Sequence, residues 1–449
     1  MKAHVFREYD IRGVYPDELN EDTVSELGRA IGTFYHRRGA GKVSLGRDCR
    51  LSSPALFDAL CNGLVATGMS VVGINMVPTP VLYFSLHHLD VDGGIQITGS
   101  HNPPDFNGFK VCLGSASAYG KDIQEIRGIQ EAGGFRTAAG AYTEEEMTVP
   151  YRDYLAGKLK AGPVKRKVVV DAGNGAASAI APEVYERMGC EVIPLFCKPD
   201  GHFPHHHPDP TIPENLADLQ KKVSETDADV GIAFDGDADR IGVVDRCGRM
   251  IWGDRLMILF SRDLLERHPG AKVIGEVKCS QVLFDDIEKH GGKPIMWKAG
   301  HSLIKAKMKE ENALLAGEMS GHLFFGEDYY GYDDAIYAGA RLLEILSRNE
   351  RSLDELLADI PETVSTPEIR LECPEEKKFE VVASLAEYFK KRWKVIDVDG
   401  ARVLFEGGWG LIRASNTQPV LVLRFEAESR ERLEKIRALF MEKLSEHLK

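Results

Sequence analysis

Three aspartates at alternate positions are the most specific sign of chemistry in this chain. Asp235, Asp237 and Asp239 are separated only by a glycine and an alanine, and small spacers let a loop curl until its carboxylates converge. Left unpaired, the three charges would repel one another. An EF-hand needs glycine at the sixth loop position and glutamate at the twelfth, where this chain has arginines. The pattern predicts a Mg²⁺ site, since Mg²⁺ takes few protein carboxylates and completes its coordination with phosphate or water.

The alternative for this loop is a solvated acidic turn. The loop follows an apolar run at 230–234, so it should open from the core of a sheet, where polar loops carry function more often. We therefore favour the metal site.

A stiff loop that carries Ser100 is the second candidate. The segment ITGSHNPPDFNGFK places this hydroxyl beside His101, and two prolines follow that cannot continue a helix. A solvated turn would also explain these polar residues. If the Ser100 loop and the aspartate loop occupy equivalent strand ends in adjacent domains, a cation could lie between them. A phosphorylated Ser100 would then supply a further oxygen ligand during phosphoryl transfer.

Two further loops have the residue types that a phosphosugar needs. Glu318, Ser320 and His322 alternate with small or neutral residues, and their acceptor, hydroxyl and imidazole suit pairs of sugar hydroxyls. The segment 413–417 combines one guanidinium with three short polar side chains, which suits a phosphate dianion. For either loop alone, an ordinary polar turn remains an open alternative.

The elements around these loops follow one recurring layout. Strand-like runs at 42–45, 167–170 and 272–275 each precede helical patterns and a second apolar strand that ends in one of the polar loops. Alternating strands and helices predict parallel strand pairs with functional loops at their C-terminal ends. We therefore expect three related α/β units.

The C-terminal part reads differently. Alternation over 420–427, a glycine pair at 407–408 and an amphipathic helix over 430–449 predict an α+β unit. Prolines in a polar stretch at 359–368 indicate a linker between domains. The predicted domains are 1–147, 148–248, 249–364 and 365–449.

Composition limits the partners. The 449 residues carry a formal charge of −13, which argues against nucleic acid but leaves room for an anionic small substrate in a locally positive cleft. Eight cysteines occur without a CxxC pair, which indicates reduced thiols. With no signal-peptide pattern and no long apolar run, we expect a cytoplasmic protein without a membrane partner. The oligomeric state stays open.

Taken together, these motifs resemble the α-D-phosphohexomutase family, and within it the bacterial phosphomannomutase/phosphoglucomutase branch. The motifs follow the family's order over essentially the whole chain: 9–13, 98–103, 235–240, 317–322 and 413–417. The resemblance implies an α/β fold with three related mixed-sheet domains and a C-terminal α+β domain around a central cleft.

The resemblance also implies a role for each motif. Ser100 would be the phosphoserine, and it would hold Mg²⁺ together with Asp235, Asp237 and Asp239. Glu318 and Ser320 would bind the sugar's 3- and 4-hydroxyls, with His322 close by. The phosphate that does not react would be bound by Arg413, Ser415, Asn416 and Thr417. The family's other cleft residues correspond to Tyr9, Arg12, His101, Lys110, Arg240, Lys278 and His301. Proton transfer would fall to His101, Lys110, Arg12 or His322, which the sequence does not rank.

The implied reaction moves a phosphoryl group reversibly between O1 and O6 of mannose and glucose phosphates through a 1,6-bisphosphate intermediate. Glucose 1,6-bisphosphate or mannose 1,6-bisphosphate would act as the activator. Phosphoglucosamine mutase is the main alternative, although that branch usually has glutamine in place of Met319 and glycine in place of Ala238. A phosphosugar-binding protein without catalysis is a more distant alternative, and a phosphatase would result if the cleft admitted water.

Two patterns imitate other sites. The segment 171–178 resembles a dinucleotide fingerprint, but its third glycine is replaced by serine. The histidines at 202 and 205–207 resemble a metal cluster, but nearby prolines make the loop stiff and point adjacent side chains in different directions. We expect a structural loop between domains there.

Overall fold

The computed structural model describes residues 1–415 and 419–447, and these residues form four sheets, each from its own stretch of chain. The strands of the first sheet are β1 (Ile11–Val14), β2 (Lys42–Arg47), β3 (Ser70–Met76), β4 (Gly93–Ile97), β5 (Phe106–Leu113), β6 (Ala116–Ser117) and β7 (Ala141–Glu144). They lie in the order β1-β5-β4-β2-β3-β7, with β6 paired to β5. The helices of this unit are α1 (Glu21–His36), α2 (Ser53–Val65), α3 (Thr79–His88) and α4 (Lys121–Ala132).

The second sheet has the order β12-β11-β10-β8-β9. Its strands are β8 (Lys167–Asp171), β9 (Glu191–Leu195), β10 (Val230–Phe234), β11 (Ile241–Asp245) and β12 (Met250–Ile251). The helices α5 (Thr148–Lys158), α6 (Ala181–Met188) and α7 (Ala217–Thr226) belong to this stretch of chain. The last strand, β12, lies just beyond the predicted boundary at 248 yet pairs with β11. The domain boundaries stay predictions.

The third sheet has the order β14-β13-β15-β16. Its strands are β13 (Lys272–Glu276), β14 (Lys293–Trp297), β15 (Leu315–Gly317) and β16 (Leu323–Phe325). The helices here are α8 (Gly253–Arg267), α9 (Gln281–Lys289), α10 (His301–Glu311), α11 (Ala335–Ser347) and α12 (Leu353–Leu356).

The predicted threefold recurrence is confirmed by the strand pairing. In each of the first three units, one central strand (β2, β8 or β13) pairs in parallel with the next strand along the chain and with the strand after that. The latter strand then turns back into an antiparallel partner, β5, β11 or β16. The sheets are therefore mixed, and in each unit the antiparallel hairpin (β4–β5, β10–β11 or β15–β16) carries one of the polar loops.

The fourth sheet is antiparallel, with the order β17-β22-β21-β20-β19 and β18 paired to β22. Its strands are β17 (Val364–Ser365), β18 (Ile369–Glu372), β19 (Lys394–Ile396), β20 (Ala401–Phe405), β21 (Gly408–Ala414) and β22 (Val420–Ala427). It is covered by α13 (Lys378–Lys390) and α14 (Arg430–His447), so the expected α+β unit is present. The apolar stripe of α14 is buried, because alternate residues of β21 and β22 face it. Part of the predicted linker is ordered, since β17 joins the sheet.

Packing makes the first three units one body around the site. One apolar cluster runs from residues of β3 and α3 through the second sheet to α11 and α12, while the rest of the first unit and the fourth unit each have a core of their own. Among residues 1–415 and 419–447, none of the helices combines the length and the apolar composition of a membrane-spanning segment.

Candidate active site

The three hairpin loops meet at one place. The Ser100 Oγ donates a hydrogen bond to Asp235 Oδ2 at 2.7 Å, which joins the first loop to the second. The second loop reaches the third through the main chain, where the Ile241 N–H donates to Gly321 O at 3.1 Å. Gly236 lies so close to the Ser100 carbonyl that a Cβ there would be 2.4 Å from its oxygen. The predicted convergence of these loops is therefore present in the structure.

Ser100 lies in a strained and buried turn. Its φ is +49°, a left-handed conformation that costs free energy in a residue other than glycine and that tends to occur at functional sites. The side chain is 3% exposed. Its N–H donates to Thr98 Oγ1 at 2.8 Å, and its Oγ is 3.1 Å from His101 Nδ1. These contacts fix the hydroxyl at the mouth of the aspartate loop.

Arg50 holds this turn from behind. Its guanidinium donates to the carbonyl oxygens of four loop residues: Ser100, Asn102, Pro103 and Phe106. Asp48 lies 3.2 Å from Arg50 Nε and also accepts the Gly99 N–H. Nothing in the sequence marks Arg50, since its neighbours suggest an ordinary polar loop; only its burial shows the role.

The aspartate loop is buried and rich in oxygen atoms. Asp235 Oδ1 accepts the main-chain N–H groups of residues 239 and 240 at 3.1 and 3.2 Å. Asp237 Oδ2 accepts from Lys110 Nζ at 2.7 Å and from Thr79 Oγ1 at 2.5 Å. Lys110 also donates to Asp239.

This loop fits a divalent cation. The three aspartates each offer an oxygen within 4.8 Å of the others, and the Oδ1 atoms of Asp237 and Asp239 are buried without a hydrogen-bond partner. Buried polar atoms are nearly always paired, so these two oxygens indicate a missing partner. Carboxylate oxygens are the ligands that hard cations take.

The charges of the loop are strongly coupled. Burial and the two neighbouring carboxylates raise the pKa of Asp235 well above its usual range. Burial opposes the charge of Lys110, but Asp237 and Asp239 raise the pKa of its ammonium group. In this state Lys110 supplies the positive charge that a metal ion would supply when bound.

The sugar loop, residues 317–322, is held in place through hydrogen bonds of Glu318. Glu318 Oε1 accepts the Gly300 N–H at 2.6 Å, and Ser320 Oγ is 3.5 Å from Glu318 Oε2. Gly300 has φ +128°, and a Cβ there would meet the Tyr9 ring at 2.7 Å. The Tyr9 hydroxyl donates to Ala299 O at 3.2 Å. Tyr9 of the first unit thus contacts residues 299 and 300 of the third unit, and Glu318 of the sugar loop binds the second of these.

Glu276 supports the same loop and was not found from the sequence. Its Oε1 accepts the Met319 N–H at 3.1 Å, and Lys278 Nζ is 3.6 Å from its Oε2. Burial raises the pKa of Glu276 to about 7, with Glu318 adding to the rise and Lys278 opposing it. Glu276 ends β13, where it resembles the last polar residue of any buried strand.

Two other predicted residues of the first unit are Arg12 and His101. Arg12 lies on β1, where its residue pairs with Gly108 of the strand that carries Lys110, and it donates to Asp10. Burial lowers the pKa of His101 well below its usual range, and Arg240 and Arg12 lower it further. His101 is therefore a neutral imidazole beside Ser100.

The fourth unit contributes a cation to the cleft. Arg413 Nε donates to Asp399 Oδ2 at 2.9 Å, and Ser415 follows on the same strand end with its N–H bound to Val420 O at 3.0 Å. Asn416 and Thr417, predicted to share this phosphate site, lie outside the described residues.

This unit also grips the segment that bears Lys278. Arg402 Nη1 donates to the carbonyls of Val277 and Cys279 at 2.6 and 2.7 Å. Arg424 Nη1 donates to Lys278 O at 2.6 Å. The Lys278 Nζ is 3.3 Å from Glu368 Oε2, so Lys278 lies between the third and fourth units.

The segment 171–178 and the histidine segment 202–207, which imitate other kinds of site, contact each other. His206 Nε2 lies 3.0 Å from Asp171 Oδ2, and His205 Nδ1 lies 2.7 Å from Asn174 Oδ1. Gly201 packs against the backbone of residues 49–51 in the first unit. Within the part of the chain that the structure describes, neither pattern belongs to a group of candidate metal ligands. The histidine segment acts as a structural loop between domains.

Comparison with known proteins agrees with this architecture. Four models of the phosphoglucomutase/phosphomannomutase family match in order: alpha/beta/alpha domain I at residues 3–137, domain II at 150–248, domain III at 252–364 and the C-terminal domain at 368–443. Together they cover most of the chain.

Full-length relatives include a phosphomannomutase/phosphoglucomutase of Pseudomonas putida, 48% identical over 98% of this chain and 95% of the relative. A phosphoglucomutase of Neisseria gonorrhoeae is 47% identical over 97% of this chain and 95% of its own. The crystal structure of a phosphoglucomutase/phosphomannomutase family protein from Burkholderia thailandensis has a TM-score of 0.94 at 44% identity, covering 100% of this chain and 98% of that one. This chain belongs to the phosphoglucomutase/phosphomannomutase family, and its similarity to the Pseudomonas enzymes places it in the bacterial branch of the α-D-phosphohexomutases.

Proposed function

We propose that this chain interconverts the 1- and 6-phosphates of mannose and of glucose through a phosphorylated Ser100. The observation that carries the proposal is the pairing of a buried, strained serine hydroxyl with a carboxylate of a cation-ready loop at 2.7 Å. Full-length relatives with this architecture are named for both activities. The proposed activator is glucose 1,6-bisphosphate or mannose 1,6-bisphosphate.

The reaction proceeds in two halves. In the first, the bond between phosphorus and Ser100 Oγ breaks while the free O6 or O1 of a hexose monophosphate bonds to phosphorus, which produces the 1,6-bisphosphate. The sugar hydroxyl loses its proton to a base of the cleft, and Ser100 Oγ takes up a proton as it leaves phosphorus. After the bisphosphate reorients, Ser100 Oγ gives up that proton as it bonds to the other phosphorus, and the sugar oxygen that leaves takes up a proton from the cleft. Atoms and charge balance over the cycle, and positioning provides most of the catalysis.

Asp235, Asp237 and Asp239 would hold Mg²⁺, and a phosphate on Ser100 would add a further oxygen ligand. The cation would supply positive charge that offsets the charge of the transferred phosphoryl group. Lys110, which now donates to two of these carboxylates, lies where it could donate to that phosphate.

His101 is the proposed base. Its Nδ1 lies 3.1 Å from Ser100 Oγ, and because burial, Arg240 and Arg12 lower the pKa of the ring, the imidazole is unprotonated and has a lone pair free to receive a proton. Arg12 and Lys110 serve as cations, because each already donates to carboxylates.

The sugar and its second phosphate lie between the third and fourth units. Glu318 and Ser320 form hydrogen bonds with the 3- and 4-hydroxyls of the sugar. These two hydroxyls nearly exchange places when the sugar turns over. Arg413 and Ser415 bind the phosphate that does not react, with Asn416 and Thr417. This phosphate site must accept either end of the sugar, so it depends on phosphate geometry alone.

Phosphorus NMR tests the reaction and its sugar specificity together. Purified protein with Mg²⁺ and a trace of glucose 1,6-bisphosphate receives the 1-phosphates of mannose, glucose and glucosamine in one tube. We expect the mannose and glucose signals to convert to 6-phosphates together while glucosamine lags. If glucosamine converts first, the protein is a phosphoglucosamine mutase. Release of inorganic phosphate, or no change in any signal, would contradict the mutase itself.

A further inference from the structure

Residues 299 and 300, between β14 and α10, contact three parts of the molecule, and we call them the junction segment. The Tyr9 hydroxyl of the first unit donates to Ala299 O at 3.2 Å. Glu318 of the sugar loop accepts the Gly300 N–H at 2.6 Å. Asp399 of the fourth unit accepts the Ala299 N–H on its Oδ2 at 3.1 Å. The main chain of the junction segment therefore connects the first unit, the sugar loop and the fourth unit.

The same oxygen of Asp399 also holds Arg413. Arg413 Nε donates to Asp399 Oδ2 at 2.9 Å, so one carboxylate oxygen accepts N–H groups from the third and the fourth unit. The two side chains are mostly buried, with exposed fractions of 12% for Asp399 and 10% for Arg413. Hydrogen bonds between charged groups are stronger than those between neutral groups, and shielding from water strengthens them further.

The β20–β21 hairpin fixes Asp399 beside Arg413. Ala401 pairs with Ile412, so the residues just before β20 lie opposite the end of β21. Gly400 has φ +83°, and a Cβ there would lie 2.3 Å from Ile412 O and 2.7 Å from Arg413 Cα. Only glycine allows this approach of the two backbones. The carboxylate of Asp399 is therefore held close to the guanidinium by the main chain.

Pairing at Nε decides which donors Arg413 presents to a ligand. A guanidinium is planar, and its five N–H groups have fixed directions. With Nε on Asp399, the other four donors belong to the two terminal nitrogens, whose fork matches two oxygens of a phosphate. Rotation of the side chain away from this direction would break the hydrogen bond to Asp399.

We infer that Asp399 is a positioning residue that holds Arg413 at a fixed span from the sugar loop. Asp399 and Glu318 accept the N–H groups of consecutive residues in the junction segment, so the guanidinium and the sugar-binding carboxylate are held by one short piece of main chain. The inference rests on the proposed function, because that function assigns Arg413 to the phosphate that does not react. A hexose monophosphate would have to match this span to contact both groups.

Binding of glucose 1-phosphate tests the role without turnover. The affinity is measured by calorimetry with Mg²⁺ in a Ser100→Ala background, so that no phosphoryl group is transferred. Loss of one hydrogen bond to a charged group typically weakens an interaction ~10–100-fold. We expect Asp399→Ala to raise the Kd by that factor. Asp399→Asn keeps an acceptor oxygen without the charge, so it should recover much of the affinity.

A double-mutant cycle with Arg413→Gln separates positioning from general damage to the fold. If Asp399 acts through Arg413, Asp399→Ala should change the Kd by only about threefold or less once Arg413 is already glutamine. The full ~10–100-fold loss in that background would overturn the positioning role, as would an Asp399→Ala protein that binds glucose 1-phosphate as well as its parent.

Hydrogen exchange of the full chain without ligand tests the contact with the junction segment. With peptides that resolve Ala299, its amide should exchange at least ~10-fold faster in Asp399→Ala. Asp397→Ala is the matched control in the same loop, because Asp397 is exposed and pairs with Lys390 at 3.0 Å within the fourth unit. It should leave both the exchange at Ala299 and the Kd unchanged. Equal exchange at Ala299 in the two variants would contradict the inference.

These measurements fail separately from the proposed function. A protein with Ser100 intact that binds glucose 1-phosphate but converts no sugar phosphate would refute the mutase reaction, while the Kd values and the exchange at Ala299 would still decide the role of Asp399. In an active protein, kcat/KM for glucose 1-phosphate should fall ~10–100-fold in Asp399→Ala and stay within about twofold in Asp397→Ala.

Discussion

Replacing Arg50 by methionine should loosen the Ser100 turn more than any other single change behind it. Arg50 is 1% exposed, and its guanidinium donates to Ser100 O at 2.7 Å, Asn102 O at 2.6 Å, Phe106 O at 2.9 Å and Pro103 O at 2.5 Å. Methionine fills a similar volume but offers no donor. The left-handed backbone of Ser100 would then lose the contacts that compensate its strain.

The size of the effect follows from the contacts. A buried carbonyl left without its donor costs ~1–3 kcal/mol, so four of them set an upper range of ~4–12 kcal/mol. The loop can shift and admit water, which recovers part of the lost hydrogen-bond free energy. Removal of one partner from a buried ion pair costs ~3–5 kcal/mol, and Asp48 would be the carboxylate left behind. We expect a local loss of ~3–5 kcal/mol.

Hydrogen exchange is the suitable assay, because one global unfolding free energy is ill-defined for a chain of several units. The amides of residues 98–106 should lose protection in Arg50→Met. A misplacement of ~1 Å at a reacting group can cost ~100-fold, so kcat should fall by about that factor. Arg136→Met is the control, since Arg136 is exposed and binds one carbonyl, Thr67 O. Equal protection and equal kcat in both variants would refute the reasoning.

Three other predictions concern the rest of the cleft. The pKa of Glu276 is about 7 when folded, against its ordinary value of 4.5, so its contribution to stability is complete below 4.5 and is lost as the pH rises through about 7. Hydrogen exchange of the amides around Glu276 and Met319, measured from about pH 5 to 8 and corrected for intrinsic exchange rates, should show a fall of roughly 3 kcal/mol in local unfolding free energy that Glu276→Gln lacks. Arg402→Leu removes the donors to Val277 O and Cys279 O; we expect KM to rise ~10-fold and X-ray scattering to show a larger radius of gyration as the fourth unit undocks. Mg²⁺ at ~100 times its Kd should stabilise the folded protein by ~2.7 kcal/mol, which is observed as a higher melting temperature. Asp237→Asn should abolish this effect, and the exposed Asp227→Asn should leave it unchanged.

The loops that converge in the structure could be predicted from local pattern. In the Ser100, aspartate and sugar loops, unusually spaced polar residues follow an apolar strand. This combination is visible in the sequence alone. The strand–helix alternation likewise predicted the threefold recurrence, which the matching parallel and antiparallel pairings confirm. The stripe on α14 is buried as its helical spacing indicated.

Residues whose role depends on burial were not predictable. Arg50 and Arg47 are three positions apart in one polar stretch, yet only Arg50 is fully buried. Asp333 and Asp334 form a pair of which one caps a helix, and the sequence does not show that the other faces two histidines. In both cases the partner comes from a distant part of the chain, so no spacing rule could indicate it.

Transfer of label from the enzyme tests whether Ser100 is the phosphoryl carrier. The protein is first labelled with radioactive phosphate from glucose 1,6-bisphosphate, freed of ligand, and mixed rapidly with mannose 1-phosphate and Mg²⁺. We expect the label to leave Ser100 and to appear in mannose 1,6-bisphosphate and then in mannose 6-phosphate, while Ser100→Ala takes up no label. Label that appears as inorganic phosphate, or that is carried equally well by the Ser100→Ala protein, would contradict the mechanism.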